Sequence, residues 1–311
     1  MKTGAESSTT GPAGQIAHAA RLTPKRRLEY PPRMPATPEF HVFSKMFQPP
    51  VTASPEALCD LMAAAGFDGV QWTVRPGGHV EPERVEEDLP RLVRVAETRG
   101  LKCRSVCTAI VDGADPVSER IVGTASDCGI GLFRTGYFFY EPGRETYARS
   151  VDRIKRAFAS LCDLGGRTGT RAAYQNHSFW GPPVFGGAVW DVLDVIRDLD
   201  PRHVSFEYDP MHAVLETFES WRYGMRRAAP WISSIDLKDF RYALSGDEPG
   251  RLDKAMVGAG EGVVPWREVR EIVEECAIDP FYILHFERDF DRADLASTVR
   301  TELGAFRRFL S

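Results

Sequence analysis

The chain lacks a CxxC pair, an excess of basic charge and, in residues 1–36, any apolar run long enough to enter a membrane. Each absence removes a class of function. With 39 Lys and Arg against 44 Asp and Glu spread along the chain, for a net charge of -5, no field steers it onto nucleic acid, and a small-molecule partner is expected. Without a close pair, Cys59, Cys103, Cys107, Cys128, Cys162 and Cys276 read as reduced, buried side chains within apolar helix and strand patterns. Residues 1–36 are rich in Ala, Gly, Ser, Thr and Pro, include Lys25-Arg26-Arg27, and are expected to form a flexible arm. A trimmed export signal would leave a similar arm, so the compartment stays open between cytoplasmic and exported; no membrane partner is expected.

What is present, over residues 37–311, is alternation. With 43% hydrophobic and 27% charged residues the profile is that of a soluble globular chain. Short β-type runs fall at Glu39–Lys45, Gly69–Val74, Lys102–Ile110, Ile130–Thr135, Arg171–His177, His203–Tyr208, Ile232–Lys238 and Phe281–Glu287. Between and after them run helical patterns: Pro55–Ala65 behind Ser54 with Gly66 as stop, Pro82–Arg99, Pro116–Asp127, and Arg144–Leu164 leaving through Gly165-Gly166. The remainder are Ala188–Asp198, Ala213–Ala228, Trp266–Cys276 after a glycine-rich excursion from Arg241 to Pro265, and Ala293–Phe309. Eight such units predict a single (β/α)₈ barrel of the α/β class, which closes without an exposed edge. An open doubly wound sheet would usually carry a glycine-rich phosphate loop after its first strand, and none is there.

In such a barrel reactive groups come from the C-terminal ends of the strands, and side chains alternate along a strand with period two. Gln175, Asn176, His177, Asp209, His212, Asp236, Lys238, His285 and Glu287 lie at or just beyond strand ends, and Arg75 and His79 lie in the loop after the second strand. Parity puts Gln175 with His177, Asp236 with Lys238, and His285 with Glu287, so each pair can point inward together. Ordinary exposure on loops explains any one of these residues better than it explains the set.

The segments Thr73-Val-Arg-Pro-Gly-Gly-His79, Tyr174-Gln-Asn-His-Ser178, Tyr208-Asp-Pro-Met-His212, Asp236-Leu-Lys-Asp239, Gly260-Glu-Gly262 and His285-Phe-Glu287 occur in order over residues 38–311. Together they resemble the signatures of xylose isomerase-like sugar phosphate isomerases and epimerases. The resemblance implies a divalent metal held by a Glu from strand five, an Asp from strand six, a His from strand seven and a Glu from strand eight. Those places are Gln175, Asp209, Asp236 and Glu287 here. Gln175 puts an amide where the family has an acid, and Asp236 a carboxylate where it has an imidazole, so the formal ligand charge is kept while the donors change. An all-oxygen set suits Mn²⁺ or Mg²⁺ better than Zn²⁺. His177 or His212 could join the shell, and Asp236 could instead pair with Lys238.

The resemblance further implies an isomerase or epimerase that takes a proton from carbon beside a sugar carbonyl, through a metal-stabilised enediolate. Glu287 is the expected base as well as a ligand; its bland alternative is a surface pair with Arg288. Family epimerases commonly use two opposed glutamates, and Gln175 stands where one belongs, which leaves single-base isomerisation or β-elimination accessible. Lys238 and His212 are expected to act on a substrate oxygen, and Arg75, His79, Asn176, His177 and His285 to bind substrate. Phe43, Tyr137, Phe138, Phe179, Trp180 and Trp221 are candidate pocket walls. Alternatives are a lyase or hydrolase acting on keto-sugars, and a catalytically silent sugar-binding barrel. Nuclease action at abasic DNA, a further activity of the fold, is opposed by the acidic balance. A homo-oligomer is compatible with the sequence.

Overall fold

The computed structural model describes residues 37–178, 183–244, 246, 252–290 and 292–310; the expected arm at 1–36 and the expected wall residues Phe179 and Trp180 lie outside them. The strands are β1 (Phe40–Phe43), β2 (Gly69–Val74), β3 (Ser105–Thr108), β4 (Leu132–Arg134), β5 (Arg171–Gln175), β6 (Val204–Tyr208) and β7 (Ile232–Leu237). An antiparallel hairpin of β8 (Asp239–Leu244) and β9 (Leu252–Val257) follows, and β10 (Phe281–Leu284) then closes an eight-stranded parallel barrel between β7 and β1. The helices are α1 (Pro55–Ala65), α2 (Val85–Glu97), α3 (Pro116–Asp127), α4 (Tyr147–Thr168), α5 (Val189–Ile196), α6 (Pro210–Thr217), α7 (Trp221–Ala228), α8 (Trp266–Glu275) and α9 (Leu295–Leu310). Among the described residues no helix is long and apolar enough to cross a membrane.

Helix boundaries follow local chemistry. Ser54 caps α1 by accepting from Ala57 N at 3.2 Å, Pro55 occupies its first turn, and Gly66 ends it at φ 93°. Asp115 and Pro116 do the same at the start of α3. Two expectations fail. The fourth helix runs through Gly165-Gly166 to Thr168, because Gly165 serves close packing: a Cβ there would lie 2.8 Å from Thr170 O and 3.0 Å from His203 O. The sixth helical segment begins at Pro210 and breaks at Phe218, φ 46°, into α6 and α7.

Strand parity divides the core. Val42, Trp72, Phe133, Phe206, Ile235 and Leu284 belong to the main cluster packed under the helices, while Phe43, Cys107, Leu132, Ala173, Phe281 and Ile283 form a second cluster on the opposite face of the strands. That opposite face is the barrel interior, since Gln71 on β2 hydrogen-bonds Glu207 on β6, which stands four places away round the ring. Between β6 and β7 the register slips: Phe206 pairs with Ile232 but Glu207 pairs with Ser234. The extra residue, Ser233, bonds Ser205 Oγ at 3.0 Å and Phe206 O at 3.1 Å. This bulge keeps Asp236 on the inner face beside Glu207, a use of bulges frequent next to active sites. All six cysteines are free, but only Cys59 and Cys107 are fully buried, which corrects the uniform burial expected.

Asp239 organises the excursion after β7. Its carboxylate accepts from the backbone N–H of Phe240, Gly260, Gly262 and Val264 at 2.9–3.3 Å and from Trp266 Nε1 at 3.3 Å. A Cβ on Gly262 would fall 2.0 Å from Asp239 Oδ1, so this glycine is required by close approach. Asp239→Ala should cost about 3 kcal/mol in urea denaturation, because several buried donors lose one charged acceptor. A loss within about 0.5 kcal/mol, the range of ordinary surface changes, would show that the loop is held by something else.

Candidate functional site

Asp209 leaves the end of β6 as the N-cap of α6, accepting from His212 N at 3.1 Å. Its backbone is clamped by Asn176, whose side-chain oxygen accepts from Asp209 N at 2.8 Å and whose amide donates to Asp209 O at 2.9 Å. The free carboxylate oxygen, Oδ2, then meets Lys238 Nζ at 3.1 Å and Gln175 Nε2 at 3.1 Å. Lys238 also donates to Glu287 at 3.3 and 3.4 Å, and Gln175 donates to Asp236. His285 stands between Asp236 and Glu287, 3.2 Å from each. The structure thus brings Gln175, Asn176, Asp209, Asp236, Lys238, His285 and Glu287 into one connected cluster at the strand ends. His212 joins it 3.6 Å from Asp209 and packs at a tilt against His177, ring centres 3.7 Å apart.

Charge within the cluster is set by burial against pairing. Burial disfavours the Lys238 ammonium, but Asp209 and Glu287 outweigh it and raise its pKa. Burial likewise opposes the charged form of Glu287, yet Lys238 and His285 hold it well below the ordinary carboxylate range. Asp209 is pushed up by burial, with Lys238 only partly compensating. His177 is pushed down to about 2 and His212 well below its ordinary value, by burial and then by Lys238, so both rings are neutral. Glu287 is the carboxylate open to solvent, its side chain 32% exposed where Asp209 and Asp236 are at 0%. The bland expectation of an Arg288 partner is not met, since Arg288 pairs with Glu302.

Four expected residues, Arg75, His79, Phe138 and Trp221, stand differently. Arg75 lines an open cavity of about 240 Å³ with Thr108, Arg134 and Tyr137, beside the cluster rather than in it. His79 bonds the hydroxyls of Thr73 at 2.9 Å and Ser44 at 3.2 Å and packs edge-on against Trp72, so it fastens its own loop. Phe43 packs at a tilt against His285, 4.5 Å between ring centres, whereas Phe138 and Trp221 are buried in the main core.

The sequence reading missed Glu207, Arg134, Gln71, Ser178 and Lys254, and it named Tyr137 only as a pocket wall, a place it takes in the cavity beside Arg75. Glu207 is fully buried, receives Gln71 Nε2 at 3.0 Å and faces Arg134 Nη1 at 3.4 Å. Arg134 donates to Tyr137, which donates to the oxygen of Gln175. Ser178 Oγ bonds His212 Nδ1 at 2.8 Å and receives Lys254 Nζ of β9 at 3.1 Å, which brings the hairpin to the rim. Period two offered one signal: Glu207 shares its strand face with Asp209.

Burial, then the Asp236 carboxylate, push Glu207 up to about 8 from an ordinary 4.5. The folded, metal-free chain therefore keeps a proton that the unfolded chain releases, so this contribution to stability is complete below the unfolded value and is lost as pH rises through about 8. In chelator-treated protein Glu207→Gln should flatten the fall in stability between about pH 5 and about pH 8. An unchanged slope in urea titrations would mean that Glu207 is already ionised at the lower pH.

The family model for the xylose isomerase-like TIM barrel matches residues 59–308. The chain belongs to that family. No curated protein matches it by sequence. Among solved structures it is similar to 3-keto-D-glucoside 4-epimerase from E. coli, 13% identical with TM-score 0.66 over 88% of this chain and 100% of the other. It is also similar to D-psicose 3-epimerase from Clostridium cellulolyticum H10 solved with D-tagatose, 12% identical with TM-score 0.64 over 88% and 99%. A third is a xylose isomerase-like TIM barrel protein from Mycobacterium smegmatis in complex with magnesium, 15% identical with TM-score 0.62 over 88% and 98%.

A divalent ion can be tested against the atoms of this xylose isomerase-like barrel. At the four family positions, Lys238 occupies the space between Asp209 and Glu287, and Gln175 turns its NH₂ toward Asp209 and Asp236. Its oxygen is taken by Tyr137. Asp236 Oδ1 is buried with no hydrogen-bond partner among the described residues, and Glu207, Asp236 and His285 each offer a ligand atom within 4.8 Å of the others. The fit to an ion lies beside Asp236.

Proposed function

We propose that this chain is a carbohydrate isomerase or epimerase that removes a proton from carbon beside a sugar carbonyl. The observation that carries the reading is Glu287, an ionised carboxylate open to the pocket, seated on a buried ammonium, Lys238, that also touches Asp209. The two Lys238 contacts with Glu287, at 3.3 and 3.4 Å, are longer than the one with Asp209, so a substrate oxygen can draw an N–H from the Glu287 side. As negative charge develops on that oxygen, Lys238 shifts its donation toward it and Glu287 becomes a stronger base, so proton removal and charge stabilisation reinforce each other. His212 and His177, both neutral, suit hydrogen bonding to sugar hydroxyls, and Arg75 lines the adjoining cavity, while Asn176 acts through the Asp209 backbone it clamps.

An ion beside Asp236, Mn²⁺ or Mg²⁺ in preference to Zn²⁺ because carboxylate donors predominate, would polarise the carbonyl. With Gln175 in place of a second acid, single-base isomerisation or β-elimination is favoured over two-base epimerisation. The substrate class we infer is a ketose or keto-glycoside, by likeness to the epimerases of similar fold. The test is incubation of the Mn²⁺-loaded protein with a panel of such sugars in D₂O, followed by proton NMR. Enzyme-dependent loss of a carbon-bound proton signal supports the reading, and release of water or an aglycone assigns the lyase branch. No exchange with any ketose or keto-glycoside sinks it in favour of a silent sugar-binding barrel.

A further inference from the structure

We propose that the divalent ion is held by Glu207, Asp236 and His285, from β6, β7 and the residue that follows β10, a set that keeps only Asp236 of the four positions the family uses. The inference rests on the proposed function for the need of an ion; the choice of ligands rests on the geometry alone.

Two buried atoms point to the site. Asp236 Oδ1 and His285 Nε2 have no hydrogen-bond partner among the described residues, and they face each other at 3.2 Å without the alignment of a hydrogen bond. Two donors about 2.1 Å from one ion lie about 3 Å apart when their bonds meet at a right angle, so this pair is spaced as ligands are. The Glu207 carboxylate lies within 4.8 Å of both.

The surroundings are those of a supported ligand set. His285 turns Nδ1 to Glu287 Oε1 at 3.2 Å, and such a carboxylate fixes the ring so that Nε2 presents its lone pair to a metal. Glu207 is held in place by Gln71 and Arg134. Charge agrees. Four buried or half-buried carboxylates, Glu207, Asp209, Asp236 and Glu287, are met by two permanent cations, Arg134 and Lys238. With His285 neutral, as ligation requires, the carboxylates outnumber the cations in direct contact with them, and a divalent ion lowers that excess; Lys45 and Lys254 act on Glu287 from further off. The imidazole absent from β7 at Asp236 is thereby supplied from the next strand in the ring.

The discriminating property is nitrogen. The four family positions here are Gln175, Asp209, Asp236 and Glu287, which offer only oxygen, whereas the proposed set includes one imidazole. The full chain, stripped with chelator and reloaded with Mn²⁺, should show imidazole ¹⁴N coupling in pulsed EPR. His285→Gln should abolish it, and both His285→Gln and Glu207→Gln should weaken Mn²⁺ binding by at least ~10-fold in calorimetry, while Gln175→Ala, which removes a hydrogen bond to Asp236 rather than a ligand, weakens it less than either. Absence of ¹⁴N coupling in the parent protein, coupling that survives His285→Gln, or no Mn²⁺ binding would overturn the assignment. So would a Gln175→Ala loss equal to that of Glu207→Gln. The parent spectrum needs no variant to fold, and circular dichroism checks those that are made. Nitrogen-coupled Mn²⁺ with no proton exchange on any sugar would defeat the isomerase reading and leave the ligand set standing; exchange without nitrogen coupling would do the reverse.

Discussion

Glu287→Gln is expected to fold like the parent and to lose about 10²–10⁴-fold in the rate at which substrate carbon exchanges its proton with solvent, the usual worth of a positioned base. Folding should survive because the side chain is 32% exposed and its contacts are with Lys238 and His285, both of which an amide oxygen can still satisfy. The rate should fall because an amide cannot take the proton. If Glu287 were also a metal ligand, the same substitution would strip the ion and imitate loss of the base. The proposed ligand set separates the two effects: with Glu207, Asp236 and His285 holding Mn²⁺, Glu287→Gln should keep its metal and lose its rate. Exchange at the parent rate in the fully metallated variant would remove Glu287 from the chemistry and turn attention to His177, His212 and Asp236.

The fold was legible because closure of a (β/α)₈ barrel is written locally. Ser54-Pro55 and Asp115-Pro116 announce helix starts, and the strand signals predict all eight barrel strands in order. Where the reading failed, a distant contact decided. Gly165-Gly166 reads as a stop, but His203, from the turn before β6, comes close enough that only glycine fits, and the helix continues. Asp209-Pro210 carries the same capping signal as Asp115-Pro116, yet Asp209 also serves the cluster, and assigning it to one role concealed the other.

The candidate site was legible at its rim and not at its floor. Gln175, Asp209, Asp236, Lys238, His285 and Glu287 could be found because strand ends and parity are visible in one dimension. Glu207 obeys the same parity as Asp209, but its importance depends on Gln71 reaching across the barrel and on Arg134 from β4, partners far off in the chain. His79 shows the converse: a histidine in a glycine-rich loop looks like a ligand, and only the hydroxyls of Ser44 and Thr73 reveal that its ring nitrogen is already engaged.

Lys238→Met should be the most destabilising change in the cluster when the protein is free of metal. The ammonium is 2% exposed, 3.1 Å from Asp209 and 3.3 Å from Glu287, and a methionine fills much the same volume without the charge. Asp209, at 0% exposure, would be left buried without its cation. Breaking a buried pair from one side typically costs about 3–5 kcal/mol, because the remaining charge has neither water nor partner. Glu287 can turn toward solvent, so most of the penalty should fall on Asp209. A double variant, Lys238→Met with Asp209→Asn, should therefore recover a large part of the loss, since neutralising both partners removes the stranded charge. Urea denaturation of the parent, the two single variants and the double variant measures this coupling directly. Near-additive losses would mean that the ammonium and Asp209 are not energetically paired, and that Lys238 is positioned for the substrate by Glu287 alone.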